Sequence, residues 1–199
     1  MADKRSSFSD HERELAELLS KIARKCESAL NRVYELTISH VYGLALKIIT
    51  KPSEADEVAL DVFKQIWDKA GDYNDKRGTP SAWLMTITRS RSIDKIRSTA
   101  RWRNRTDNLD ELILGPDDVP QPNPAPDEIA EIRQKREIID EALSMLSPSE
   151  RESIELAYFY GMSQSEISSH MNKPLGTVKS WIRSGMAKLR TTLVPARTE

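Results

Sequence analysis

The strongest restriction on the fold of this chain comes from a stretch that cannot join a core. Residues 107–128, DNLDELILGPDDVPQPNPAPDE, hold seven acids, no Lys or Arg, and five of the ten prolines. The acids repel one another, and each Pro removes a backbone donor that a helix or sheet needs. The stretch reads as a flexible acidic linker able to reach about 70 Å when extended. Folding must therefore happen on either side of it. Leu109, Leu112, Ile113 and Leu114 interrupt the polar run and read as a weak docking element.

Both flanks are periodic in the helical sense. Leu15, Leu18, Leu19, Ile22, Cys26, Leu30 and Val33, then Val41, Leu44 and Ile48, mark two helices with a break near residues 26–28. A third helix follows Pro52, with Ser53 as its expected N-cap and Asp56 and Glu57 in its first turn. It carries Val58, Val62, Phe63, Ile66 and Trp67 and stops near Gly71. YNDKRGTP, residues 73–80, is a loop by its Asn, Asp, Gly and Pro content. Thr79 and Pro80 are suited to open the next helix, whose Trp83, Leu84, Ile87, Ile93 and Ile96 are expected to face a core.

Beyond the linker, a helix is expected to about Met145. SPSE (residues 147–150) and SQSE (residues 163–166) are capping boxes that open two more helices. Thr177 is the expected cap of a last helix with Val178, Ile182, Met186, Leu189 and Leu193 on its buried side. The expectation is an all-α chain of two small helical domains, at 10–105 and 128–194. A short N-terminal segment (1–9), the linker (106–127) and a tail (195–199) complete it.

Charge is segregated although the formal net charge is only −1. From residue 172 to 198 every charged side chain is basic, and residues 89–105 hold seven Arg or Lys against Asp94. A short helix, a tight turn and a basic helix form the helix-turn-helix arrangement, whose second helix enters the major groove. The expected buried side leaves Lys179, Ser180, Arg183 and Ser184 outward. In residues 73–105, cations alternate with Tyr73, Trp83 and Trp102, a composition suited to holding single strands by stacking and phosphate neutralisation. A solvated basic face remains the alternative for both stretches. The acids Glu54, Asp56, Glu57 and Asp61 have no basic partner in their own segment and read as a solvated face or a protein-binding face.

Catalysis finds little support. His11, His40 and His170 are scattered, and with Cys26 they show no metal-ligand spacing; His40 and Cys26 read as packing residues. One cysteine excludes an internal disulfide framework and suits a reducing cytosol. The first residues, MADKRSSFSD, lack the apolar core of a signal peptide.

Three blocks in order, EADEVALDVFKQIW (54–67), RGTPSAWLMTITRSRSIDKIR (77–97) and LGTVKSWIRSGMAKLR (175–190), resemble the extracytoplasmic-function (group IV) sigma factors of the sigma-70 family. These are bacterial transcription-initiation subunits, and the form YNDKRG…AWL looks most like the sigma-K-type subgroup. The resemblance implies a region 2 domain and a region 4 domain, and a cytoplasmic protein without catalytic residues, metal or cofactor. It implies that Asp56, Glu57, Asp61, Gln65 and Trp67 dock on core RNA polymerase. Asn74, Lys76 and Arg77, with Trp83, Arg89, Ser90, Arg91, Asp94 and Arg97, would recognise and open the −10 element. Capturing an unstacked base from the melted strand costs a few kcal/mol. Thr177, Lys179, Ser180 and Arg183 would read the −35 duplex. The linker would run toward the RNA exit path, and an anti-sigma factor, often membrane-anchored, would control activity. Three positions depart from the family: Ser90 where Asn is common, Leu60 where Gln is common, which would weaken a polymerase contact, and Trp181 where Arg is frequent. A helix-turn-helix repressor or activator is the rival reading, but it leaves the first basic domain and the acidic helix unexplained.

Overall fold

A computed structural model describes residues 9–98 and 137–193. The linker, Trp102, the cations of residues 99–105 and both termini lie outside the described residues. Every regular element among the described residues is helical. The chain divides into two compact units, residues 1–120 and 121–199.

The first unit contains four helices: α1 (Asp10–Ile22), α2 (Glu27–Ile49), α3 (Pro52–Lys69) and α4 (Pro80–Ser98), with a 3-10 turn (Ala70–Asp72) after α3. Ser9 caps α1 by accepting from the Glu12 amide at 3.4 Å. α1 and α2 are separated by a turn in which Lys25 adopts a φ of 63°, which agrees with the break expected near Cys26. α3 starts two residues earlier than the Ser53 cap required: Lys51 is the N-cap and Pro52 the first helical residue. Pro is well suited to that place, since its missing N–H would have no helical acceptor there. α2 packs against the other three helices. Leu15, Leu19 and Ile22 of α1, Val33, Val41 and Ile48 of α2, Val58, Val62 and Ile66 of α3, and Leu84 of α4 are almost completely buried together. Trp83 is only half-buried, and His40, read as a packing residue, is exposed.

The second unit begins, among the described residues, with helix α5 over residues 137–144. α6 (Pro148–Tyr158), α7 (Gln164–His170) and α8 (Leu175–Leu193) follow. Both capping boxes are formed: Ser147 with Glu150 on α6, and Ser163 with Glu166 on α7. Gly161, at φ 63°, lets the Met162 amide reach back to the Leu156 carbonyl at 3.1 Å and ends α6. Ala142, Leu146, Leu156, Met162, Ile167 and Val178 make the core.

Two expectations about α8 need correction. The helix opens at Leu175, so Thr177 lies inside its first turn, its amide bonded to the Pro174 carbonyl at 2.9 Å. The buried line passes through Gly185 and not through Met186 or Leu193, which are 53% and 43% exposed. The reason is close approach. A Cβ on Gly185 would stand 2.6 Å from Ile154 Cδ1, 3.3 Å from Glu150 Cβ and 3.4 Å from Leu146 Cδ2. The α8 backbone itself fills that space, and Met186 turns outward.

Candidate nucleic-acid interface

The turn between α7 and α8 is set by local chemistry. Asn172 adopts a left-handed φ of 49°, a conformation Asn tolerates better than most residues. The Lys173 amide then bonds to the Ser168 carbonyl at 3.0 Å, and the Ser168 hydroxyl donates back to the Lys173 carbonyl at 2.6 Å. This closure fixes the start of α8. Lys179, Ser180 and Arg183 all face solvent, and Thr177 is half-buried at the helix entrance. Neither Lys179 nor Arg183 forms an ion pair among the described residues. Trp181 is half-buried.

Lys188 has a different task from the other cations of α8. Its Nζ donates to Glu150 Oε2 at 2.7 Å, and that carboxylate also accepts from the Ser147 amide at 2.8 Å. Hydrogen bonds from Lys188 first, then from the Ser184 hydroxyl and the Ser147 amide, hold the Glu150 carboxyl at about 2. Glu150 is only 5% exposed, so the pair ties α8 to the beginning of α6. Ser184, expected to face outward, is exposed but shares this carboxylate. Sequence pattern could not reveal the link, because the partners are 38 residues apart.

In the first unit, the loop before α4 is also self-organised. The Asn74 side chain accepts from the Lys76 amide at 2.9 Å, and its carbonyl accepts from the Arg77 amide at 3.0 Å. Lys76 and Arg77 are thereby presented on an exposed turn. Tyr73 donates to the Gly78 carbonyl at 3.1 Å and packs edge-on to Trp83, with ring centroids 5.8 Å apart. Trp83 thus braces the loop from the first turn of α4. Two amides at the start of α4 find side-chain acceptors: Ala82 on Thr79 Oγ1 and Ser81 on Glu12 Oε2, both at 3.2 Å. The expected Thr79 cap is present. Further along α4, Ser90, Arg91, Asp94 and Arg97 are exposed and Arg89 is half-buried.

Two sets of candidates expected to serve different partners meet along the α3–α4 seam. Arg91 Nε donates to Gln65 Oε1 at 2.5 Å, and Lys95 forms an ion pair with Glu57. The Glu57 hydrogen bond raises the Lys95 pKa, and the nearby charges of Glu57, Glu54 and Asp61 add to it. The acidic face of α3 therefore has basic partners after all: Lys95 of α4 for Glu57 and, within its own segment, Lys51 at the N-cap of α3, 3.6 Å from Glu54. Asp56 and Asp61 are exposed; Trp67 is half-buried, with the Lys25 ammonium 4.9 Å from its ring centroid. Lys25 also donates to the Trp67 carbonyl at 3.0 Å. Cys26, also read as a packing residue, is half-buried, and its sulfur lies 3.3 Å from the Ser28 hydroxyl. Among the described residues, no group of His, Cys, Asp and Glu is placed to hold a metal ion, and no helix is long and apolar enough to cross a membrane.

Comparison with known proteins follows the same division. The Sigma-70 region 2 model matches residues 33–103, and the Sigma-70 region 4 model matches residues 136–189. The chain is 31% identical over 176 residues to the ECF RNA polymerase sigma factor SigK of Mycobacterium sp. (strain KMS), covering 88% of this chain and 89% of that protein. It is 28% identical over 183 residues to SigK of Mycobacterium tuberculosis (strain ATCC 25618 / H37Rv), covering 90% and 94%. Among solved structures it is similar to Rhodobacter sphaeroides SigE, determined in complex with the anti-sigma ChrR. The identity is 27% and the TM-score 0.45, with 92% of this chain and 98% of that chain covered. The sigma factor RpoE of Bartonella quintana, in complex with the anti-sigma factor NepR, matches at 23% identity and TM-score 0.35, with 84% and 98% covered.

Proposed function

The chain belongs to the ECF sigma factors of RNA polymerase, and we propose that its two units divide promoter recognition between them. As a family member it is a transcription-initiation factor, which binds core polymerase, recognises the −35 and −10 elements and helps to open the DNA. In our assignment residues 10–105 form region 2, residues 106–127 the connecting acidic linker, and residues 128–194 region 4.

The observation that carries the assignment is the outward set Lys179, Ser180 and Arg183 on a helix that follows a tight turn. Those side chains enter the −35 major groove, with Thr177 at the entrance of the helix. The helix N-terminus contributes a favourable field for a phosphate. On the first unit, Asn74, Lys76, Arg77 and Trp83 meet the −10 strand together with Arg89, Ser90, Arg91, Asp94 and Arg97. Asn74 acts mainly through the turn it builds. Asp56, Glu57, Asp61, Gln65 and Trp67 face core polymerase. The protein performs no catalysis itself and works in the cytoplasm, where its polymerase is. An anti-sigma factor holds it inactive; the family resemblance supports this assignment, including a membrane-anchored form of that partner.

The test is run-off transcription with core RNA polymerase from the same source and a promoter library. Specific start sites that require the added chain are expected. Absence of specific initiation together with absence of core binding refutes the assignment and returns the helix-turn-helix regulator as the better reading.

A further inference from the structure

The pattern Ser-x-x-Glu that opens α6 and α7 occurs a third time, at the start of α1, as SDHE (residues 9–12). At Ser147 and at Ser163 both halves of the box are closed: the hydroxyl accepts from the Glu amide, and the Glu carboxylate accepts from the Ser amide. In α1 the hydroxyl half is formed, with Ser9 accepting from the Glu12 amide at 3.4 Å. The Glu12 carboxylate is directed to another helix. Its Oε2 accepts from the Ser81 amide, in the first turn of α4 and 69 positions along the chain, at 3.2 Å. Glu12 is half-buried there. With this contact every amide in the first turn of α4 has an acceptor. Pro80 has none to offer, Ala82 donates to Thr79 Oγ1 at 3.2 Å, and Trp83 donates to the Thr79 carbonyl at 3.1 Å. Glu12, Ala16 and Ser20 recur at four-residue spacing and share one face of α1. Ala16, Ser20 and Ala23 form one wall of a cleft of about 260 Å³, and Gly71, Tyr73 and Asp75 form the other. The beginning of the loop therefore meets α1 across a gap, while the Glu12–Ser81 bond ties down its far end.

We infer that Glu12 is a positioning residue for −10 recognition: by holding the first turn of α4 on α1, it fixes where Trp83 and the loop braced by Trp83 stand when the strand arrives. This rests on the reading that the loop and α4 meet the −10 strand. Ser81 precedes Trp83 by two residues, and Trp83 packs edge-on against Tyr73, whose hydroxyl donates to the Gly78 carbonyl. The turn that presents Lys76 and Arg77 lies between Tyr73 and Gly78. A carboxylate suits the place twice, because it accepts a charge-assisted bond and faces the positive end of the α4 dipole. Its presence also leaves no open amide in that first turn for a strand phosphate. The phosphates are directed to the cations of the loop and of the outer face of α4.

The experiment uses holoenzyme, the full-length chain with core polymerase from the same source, on a promoter selected by run-off transcription. Opening is followed by a fluorescent base in the −10 strand, and duplex binding by a labelled −35 probe. Glu12→Ala should slow opening about tenfold. Its binding to the −35 duplex should stay within about twofold of wild type, because the other unit reads that duplex. Glu12→Gln keeps an acceptor of the same reach and should recover opening to within about threefold of wild type. Ser9→Ala removes the hydroxyl half of the same cap and weakens α1 without touching the Glu12 carboxylate. It should lower the thermal midpoint and leave opening unchanged below that midpoint. Opening by Glu12→Ala at the wild-type rate overturns the inference. A loss in Ser9→Ala equal to that in Glu12→Ala also overturns it, since Glu12 would then act only through the stability of α1. Faster opening by both Glu12 variants overturns it as well, because repulsion between the carboxylate and the strand would then dominate. Wild-type holoenzyme that binds the promoter but never opens it refutes the −10 reading itself, a result distinct from equal opening by all variants.

Discussion

Gly185→Ala isolates the packing of α8. In an open helix this change stabilises by about 1 kcal/mol, because Ala has the higher propensity and restricts the unfolded chain. Here the new methyl would lie 2.6 Å from Ile154 Cδ1, against an optimal carbon–carbon separation of about 3.5–4.0 Å. Ile154 must swing aside, and the contacts at 3.3 Å to Glu150 Cβ and 3.4 Å to Leu146 Cδ2 leave α8 little room to retreat. Overpacking of this kind costs about 1–3 kcal/mol. After subtraction of the propensity gain, a net destabilisation of up to about 2 kcal/mol is expected. Urea unfolding of residues 121–199 measures it, followed by circular dichroism and by Trp181, the single Trp of that fragment. With m near about 1 kcal/mol/M, the midpoint falls by up to about 2 M. Ile154→Val removes the clashing atom. Alone it costs about 0.5–1 kcal/mol, and combined with Gly185→Ala it should cost nothing further or stabilise. A Gly185→Ala fragment at least as stable as wild type would refute close packing of α8 at this position.

The Glu150 carboxyl, held at about 2 against an ordinary 4.5, stabilises the second unit fully above pH 4.5 and progressively less as pH falls toward 2. Acid titration followed by circular dichroism should show this loss, and Glu150→Gln should flatten it; equal pH slopes for both proteins would exclude the ion pair as the cause. Lys179→Ala and Arg183→Ala should weaken binding to −35 duplex. A base contact costs about 1–3 kcal/mol on the correct sequence alone, whereas a phosphate contact lowers the salt slope by about 0.9 on every sequence. Unchanged affinity and slope for both variants would remove α8 from the groove.

What could be read directly from the sequence was local. Apolar spacing separated α1 from α2, the Ser-x-x-Glu pairs opened α6 and α7, and Thr79 marked the start of α4, because each signal lies within one turn of what it controls. The outward set Lys179, Ser180 and Arg183 followed from the same periodicity. Two misreadings are local: α3 opens at Pro52 and α8 at Leu175, ahead of the expected Ser53 and Thr177 caps. The others concern contacts between distant segments. Lys188 was one of several basic residues of the last helix until Glu150 stood beside it, and Glu57 had no partner in its own segment until α4 brought Lys95. Met186 was placed inside because hydrophobicity assigns nothing to Gly185, yet a backbone without a side chain can be the closest-packed part of a helix. Arg91–Gln65 and Tyr34–Phe63 belong to the same class, joining residues 26 and 29 positions apart.

The two glycines of α8 have opposite surroundings. Gly185 is wedged among three neighbours, while a Cβ added at Gly176 would meet nothing within 4 Å. One end of the helix is therefore wedged into the fold, and at the other Val178 is fully buried while Lys179, Ser180 and Arg183 project into solvent. Substitutions can accumulate at the projecting positions without disturbing the core that Gly185 secures. Divergence among descendants of such a chain should concentrate there, so that new promoter preferences arise on an unchanged framework.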